Sequence, residues 1–170
     1  MRQARSIGRG IAAAALFAST MSVSAATNDA AAEPAVDVAP CATAIAEADD
    51  DRVIARCGAL IDNGKTLHAD RAKALVARAA AFARRDQIDH AIADDDAALK
   101  LDPGADLFNA RGELHRRKGD RPRAVADFTA ALRLNPQHEV ARANNRALAR
   151  ELEQIGADMA LKGRLKPPLK

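Results

Sequence analysis

Displaced by 33 residues, the segment 72–103 falls on the segment 105–136 with twelve identities in 32 positions. A stretch that recurs at such a period folds as a stack of equivalent units, each covering the apolar face that its neighbour leaves open. Alanine inflates the count, so the six identities of other residue types carry the inference. They pair Arg78 with Arg111, Arg84 with Arg117, Asp94 with Asp127, Leu99 with Leu132, Leu101 with Leu134 and Pro103 with Pro136.

Each unit divides into two predicted helices. Arg85-Asp86-Gln87 and Lys118-Gly119-Asp120 interrupt the apolar pattern, Asp86 and Asp120 are placed to cap the helix that follows, and Pro122 falls in a first turn. Asp102-Pro103-Gly104 and Asn135-Pro136 end the second helices, because the residue before a proline is pushed out of the α region. Between these signals, small and apolar residues recur at three and four: Leu75, Ala79 and Phe82, then Phe108, Gly112 and His115. The second helices carry Ala91, Ala98 and Leu101, then Ala124, Phe128, Ala131 and Leu134.

Composition points the same way. Apolar residues make up 48% of the 170, but alanine dominates them, and four Phe with no Trp or Tyr leave too few strand-forming residues for a sheet. The expected fold class is all-α, with a core of small side chains at short helix separations.

The first 26 residues read as a secretory signal: Arg2, Arg5 and Arg9 precede an uncharged stretch, and Ala25 or Ala26 offers the cleavage site. That stretch is shorter than the roughly 20 apolar residues a bilayer needs, so no stable membrane insertion is expected after cleavage. The signal holds three of the 26 Lys and Arg and none of the 23 Asp and Glu, which leaves the mature chain balanced at zero. The basic pI belongs to the export signal, and with little aromatic surface as well, nucleic acid is not an expected partner. Cys41 and Cys57 are the only cysteines. In an exported chain they read as a disulfide, the alternatives being a metal site or a redox pair, for which the spacing is wrong.

Residues 27–40 are a predicted linker of Ala, Pro, Asp and Glu, residues 137–158 a long capping helix with Val140, Asn144, Leu148, Leu152 and Ile155 on one face, and residues 159–170 a basic tail. Asp49-Asp50-Asp51 and Asp94-Asp95-Asp96 suggest a divalent metal, but consecutive helical residues point about 100° apart and cannot converge on one ion. His68, His90, His115 and His138 are scattered, no serine or cysteine has a base placed beside it, and neither a metal nor a cofactor is expected.

Phe108, Arg111-Gly112, Ala124, Phe128, Ala131 and Pro136 resemble the tetratricopeptide repeat, a helix pair of about 34 residues. The preceding unit offers Leu75, Arg78-Ala79, Phe82, Ala91, Ala98 and Pro103, with Asp95 where the second helix should carry an aromatic. Residues 51–61 echo residues 89–99, so Cys57 takes the same aromatic position in a partial repeat at 41–64. The arrangement looks like small exported repeat proteins of rhizobia. The resemblance implies an α-α superhelix over residues 41–158 and a non-catalytic interaction module of the periplasm or cell envelope. It maps groove positions to Lys73, Val76, Ala80, Ala83 and Arg84 in one unit, and to Asp106, Asn109, Glu113, Arg116 and Arg117 in the next. Arg84, Arg116 and Arg117 would give that groove a basic stretch suited to an acidic peptide, Asn109 could bond a ligand backbone, and the exposed terminal pair leaves a face for homodimerisation. The family's carboxylate clamp of Lys and Asn is missing, so a chaperone C-terminus is not the expected ligand. The rival reading from another class is a small periplasmic enzyme or metal-binding protein that uses the acidic clusters.

Overall fold

The computed structural model describes residues 36–164. Seven helices follow one another with no strand among the described residues: α1 (Ala39–Ala46), α2 (Asp50–Asp62), α3 (His68–Arg84), α4 (Ile88–Leu101), α5 (Ala105–Lys118), α6 (Arg121–Leu134) and α7 (Glu139–Arg164). They pair in chain order, α1 with α2, α3 with α4 and α5 with α6; each pair packs on the next, and α7 closes the far end against α6 and α5. The fold is the all-α superhelix expected from the repeat.

Three boundaries differ from expectation. The signal at 1–26 and most of the linker lie outside the described residues, but α1 starts at Ala39, inside the linker predicted to reach residue 40. Pro40 sits in its first turn, where a missing N–H costs no hydrogen bond, and Cys41 and Ala44 are buried just beyond. At the other end α7 runs through residues predicted as tail, to Arg164, because Met159, Ala160, Leu161 and Lys162 are all good helix formers. The third difference is a cap. Asp120 accepts from the Arg123 N–H at 3.3 Å as expected, but Asp86 does not cap α4. It adopts φ 58° at the end of α3, the left-handed position that Gly119, with φ 84°, takes at the end of α5. The Gln87 N–H then closes on the Phe82 carbonyl at 2.8 Å, as the Asp120 N–H closes on that of His115 at 2.9 Å.

The non-alanine identities acquire a physical meaning in this frame. Arg78 donates through Nε and Nη2 to the two oxygens of Asp94, at 2.8 Å each; Arg111 does the same to Asp127, at 2.9 and 2.6 Å. Each pair joins the two helices of one unit across sixteen residues, and each aspartate is buried. The pairing holds both guanidinium groups more firmly protonated than usual, chiefly through the hydrogen bonds to their aspartates. A third contact links units, since Arg111 Nη1 also reaches Asp96 of α4 at 2.6 Å.

Small residues set the helix separations. Ala79 and Ala91 face each other with Leu114 in one buried cluster, and Ala124, Phe128 and Leu148 form another. A Cβ at Gly112 would stand 2.8 Å from Cε1 of the fully buried Phe128, so a large ring on α6 requires a bare backbone on α5. At the N-terminal end the Cys41 and Cys57 sulfurs are 2.11 Å apart, tying α1 to α2 within a cluster that includes Val53, Leu60 and Ala74.

Removing one member of an Arg–Asp pair leaves an uncompensated buried charge. Arg111→Met is expected to cost about 3–5 kcal/mol, whereas Arg111→Met combined with Asp127→Leu recovers most of the loss. Urea unfolding of the two single variants and the double variant checks this.

Candidate functional site

α3, α5 and α7 are the helices that line the groove implied by the repeat. α5 and α7 approach one another more closely than α3 and α5 do, and the space left between α3 and α5 is a groove of about 510 Å³. Its walls are largely apolar: Val76, Ala80 and Ala83 from α3, Ala110 and Leu114 from α5, and Val140 from α7.

Four of the six residues expected to bind a peptide line this groove, namely Asn109, Glu113, Arg116 and Arg117. The other two do not. Lys73 is exposed on α3 and stands 3.7 Å from Asp70, one turn away. Arg84 is turned to the preceding unit, where Nε and Nη2 donate to one oxygen of Asp50 at 2.8 and 2.6 Å and hold that carboxyl below its ordinary range. Asp106, also mapped to the groove, binds Nε2 of His138 at 2.9 Å.

The basic stretch expected from the arginines does not stand open. Arg116 donates to both oxygens of Glu113, at 2.9 and 2.8 Å, and to Glu151 of α7 at 2.5 Å. Those carboxylates, Glu113 foremost, raise its pKa above the usual guanidinium value. Arg117 reaches back to α3, donating to the Ala83 carbonyl at 3.1 Å and to Asp86 at 3.0 Å, and Lys118 binds Asp89 at 2.5 Å. The groove rim is therefore a set of satisfied seams. Asn109 likewise accepts a hydrogen bond from Asn144 Nδ2 at 3.0 Å.

The acidic triplet splits as helical geometry demands. Asp94 turns to Arg78 and Asp96 to Arg111, while Asp95 alone faces the groove. Among the described residues no group of three potential metal ligands comes together. Asp95 is only 2% exposed, the little accessible surface it keeps opens on the groove, and no hydrogen bond or ion pair to it occurs among the described residues. Burial pushes its carboxyl up to about 7; Arg111 pulls the other way, and Asp94, Asp96 and Asp127 add to the rise. Sequence reading passed over Asp95 as a site residue, although its departure from the aromatic position was the available signal. His115 sits buried at an aromatic core position, as the pattern implies; burial lowers its pKa, and its Nδ1 has no hydrogen-bond partner.

A carboxyl that ionises near 7 when folded and near 3.9 when unfolded makes the folded state hold the extra proton between those values. Its contribution is fully present below about 4 and is lost as pH rises through about 7, on the order of 4 kcal/mol in all. Asp95→Asn, which cannot ionise, is expected to gain stability relative to the parent between pH 5 and pH 8. Denaturant midpoints of both proteins at the two values read the difference, and parallel behaviour would contradict the burial argument.

Comparison with known proteins places this geometry. Residues 105–138 match the family model described as Tetratricopeptide repeat. No curated protein matches the chain. Among solved structures it resembles the Arabidopsis OM64 TPR domain, at 22% identity and TM-score 0.58, over 66% of this chain and 90% of that one. It also resembles the first TPR of Spaghetti (RPAP3) bound to the HSP90 peptide SRMEEVD, at 18% identity and TM-score 0.60, over 70% of this chain and 98% of that one. Both likenesses concern the fold, which is what joins residues 72–103 and the partial unit at 41–64 to the matched repeat. Residues 105–138 match a tetratricopeptide repeat, and the described chain around them has the fold of tetratricopeptide-repeat domains.

Proposed function

We propose that this chain is a non-catalytic interaction module of the cell envelope, which receives a segment of a partner protein in the groove between α3, α5 and α7. The observation that carries the reading is the groove itself: about 510 Å³ of open space with apolar walls, held between helices that are fixed to each other by charge-assisted hydrogen bonds. The neighbour solved with SRMEEVD supports a peptide as the class of ligand. The chemistry of that peptide does not carry over, because an acidic ligand here would have to compete with Glu113, Glu151 and Asp86 for the arginines. Export is supported by the basic and apolar leader at 1–26 and by the Cys41–Cys57 pair, a combination suited to an oxidising compartment. Leu152, Met159 and Leu161 are exposed on α7 and offer the surface on which homodimerisation would take place.

A photocrosslinking residue at Ala80, exposed in the groove wall, is expected to capture a partner in cells that the same residue at Ala93, exposed on α4, does not. The captured protein should then bind the purified chain and lose that binding to the groove-filling variant Ala110→Trp. Equal capture at both positions, or binding indifferent to Ala110→Trp, would place the partner elsewhere.

A further inference from the structure

Three units present three residues at one position of the second helix. Cys57 is bonded to Cys41, Phe128 fills the space over Gly112, and Asp95 is the third. An aspartate is much smaller than a phenylalanine, and here Asp95 and Ala79, the counterpart of Gly112, both line an opening between α3 and α5. Asp95 lies at the floor of that opening.

A buried carboxyl with no hydrogen-bond partner is costly unless a proton or a cation neutralises it. No guanidinium nearby is free to do so. Arg78 on α3 is held by Asp94, and Arg111 on α5 by Asp127 of α6 and Asp96. At the rim, Arg116 is held by Glu113 and by Glu151 of α7, and Arg117 by Asp86. Each of these guanidinium groups is engaged by at least one carboxylate, and Arg111 and Arg116 by two, so Asp95 is a carboxyl that none of them reaches by a hydrogen bond.

We propose, as a deepening of the peptide-binding reading and dependent on it, that Asp95 is the anchor subsite of the groove and takes one cationic side chain of the partner. The alkyl stem of a lysine or arginine lies against Val76, Ala80, Ala110 and Leu114, and its charged head replaces the missing partner of Asp95. The pairing is made in a water-poor space, where a charge-assisted hydrogen bond is stronger than at the surface. It also gives the groove a sign opposite to that implied by its arginines. Because the carboxyl is pushed up to about 7, binding strengthens as pH rises through neutrality and the proton gives way to the ligand's charge.

The test uses the full chain and three short alanine–leucine peptides that differ at one central residue: lysine, norleucine or glutamate. At pH 8 the lysine peptide is expected to bind about tenfold more tightly than the norleucine peptide. The preference should fall toward unity at pH 5.5, and Asp95→Asn should bring the two peptides to the same affinity. Independently, saturating n-pentylammonium should lower the midpoint at which the Asp95 carboxyl titrates by carbon NMR, and equal sodium chloride should not. Equal binding of lysine and norleucine by the parent protein overturns the anchor while leaving the groove as a peptide site. Preference for glutamate, or a carboxyl midpoint unmoved by the amine, also overturns the anchor. Filling of the groove by a second copy, seen as a dimer that peptide cannot dissociate, does the same. If no peptide binds and the midpoint is unmoved, the groove reading and the anchor fall together.

Discussion

Two aspartates, Asp94 and Asp127, are buried in a core made mostly of alanine, and each is held by a two-pronged arginine from the other helix of its own unit. The rest of the stack depends on this interaction. Alanine faces carry little shape: two alanine-lined helices can slide or rotate past one another with small changes in buried area, because few large side chains interdigitate. A bidentate pair tolerates no such slip. It fixes both the separation and the rotation of a helix pair, and it does so at the same place in successive units. Its net contribution against an apolar replacement is small, since burying the charges offsets most of their attraction, so its effect is on specificity more than on stability.

Once the pair geometry is fixed by charge, the mid-helix position beside it no longer has to be aromatic. Cys57, Asp95 and Phe128 are three answers to the same geometric slot. The cysteine fastens a short N-terminal hairpin whose eight-residue α1 would be too small to hold by burial alone. The phenylalanine packs with Leu148 to seat the terminal helix. The aspartate is buried but too small to fill the slot as the phenylalanine does, and the fold bears that because Arg78 and Asp94 already hold α3 on α4.

Much of this was legible in the residues. Pro103 and Pro136 marked the helix ends to within a residue, and the shared Arg78/Arg111 and Asp94/Asp127 identities were the clamp, visible as conspicuous repeats before any partner was known. The parts that were not legible concern side chains whose partners lie a whole unit away. Arg117 is one of these: α3 presents both Asp86 and the Ala83 carbonyl to it from the neighbouring unit. Asp86 itself could be read as a cap because acid before a helix is common. Its left-handed backbone follows from how α3 terminates, which the side chain alone does not reveal. Likewise four of the residues mapped from the repeat register line the groove, whereas Lys73 stands by Asp70 on its own helix and Arg84 is taken by Asp50 of the preceding unit.

The sign of the groove follows from the same bookkeeping of partners, and not from the number of charges along it. Seam pairs such as Arg84 with Asp50, Lys118 with Asp89 and Arg116 with Glu151 are partly or largely open to water and individually contribute little to stability. Together, however, they remove each cation from the pool available to a ligand, since breaking one leaves two charges to be satisfied for every one newly engaged. The field a ligand meets is then set by the group with no protein partner. With each arginine described around the groove held by at least one acid, and Arg111 and Arg116 by two, the rim has no spare cation, and the Asp95 carboxyl at the low-dielectric floor adds to an acidic balance.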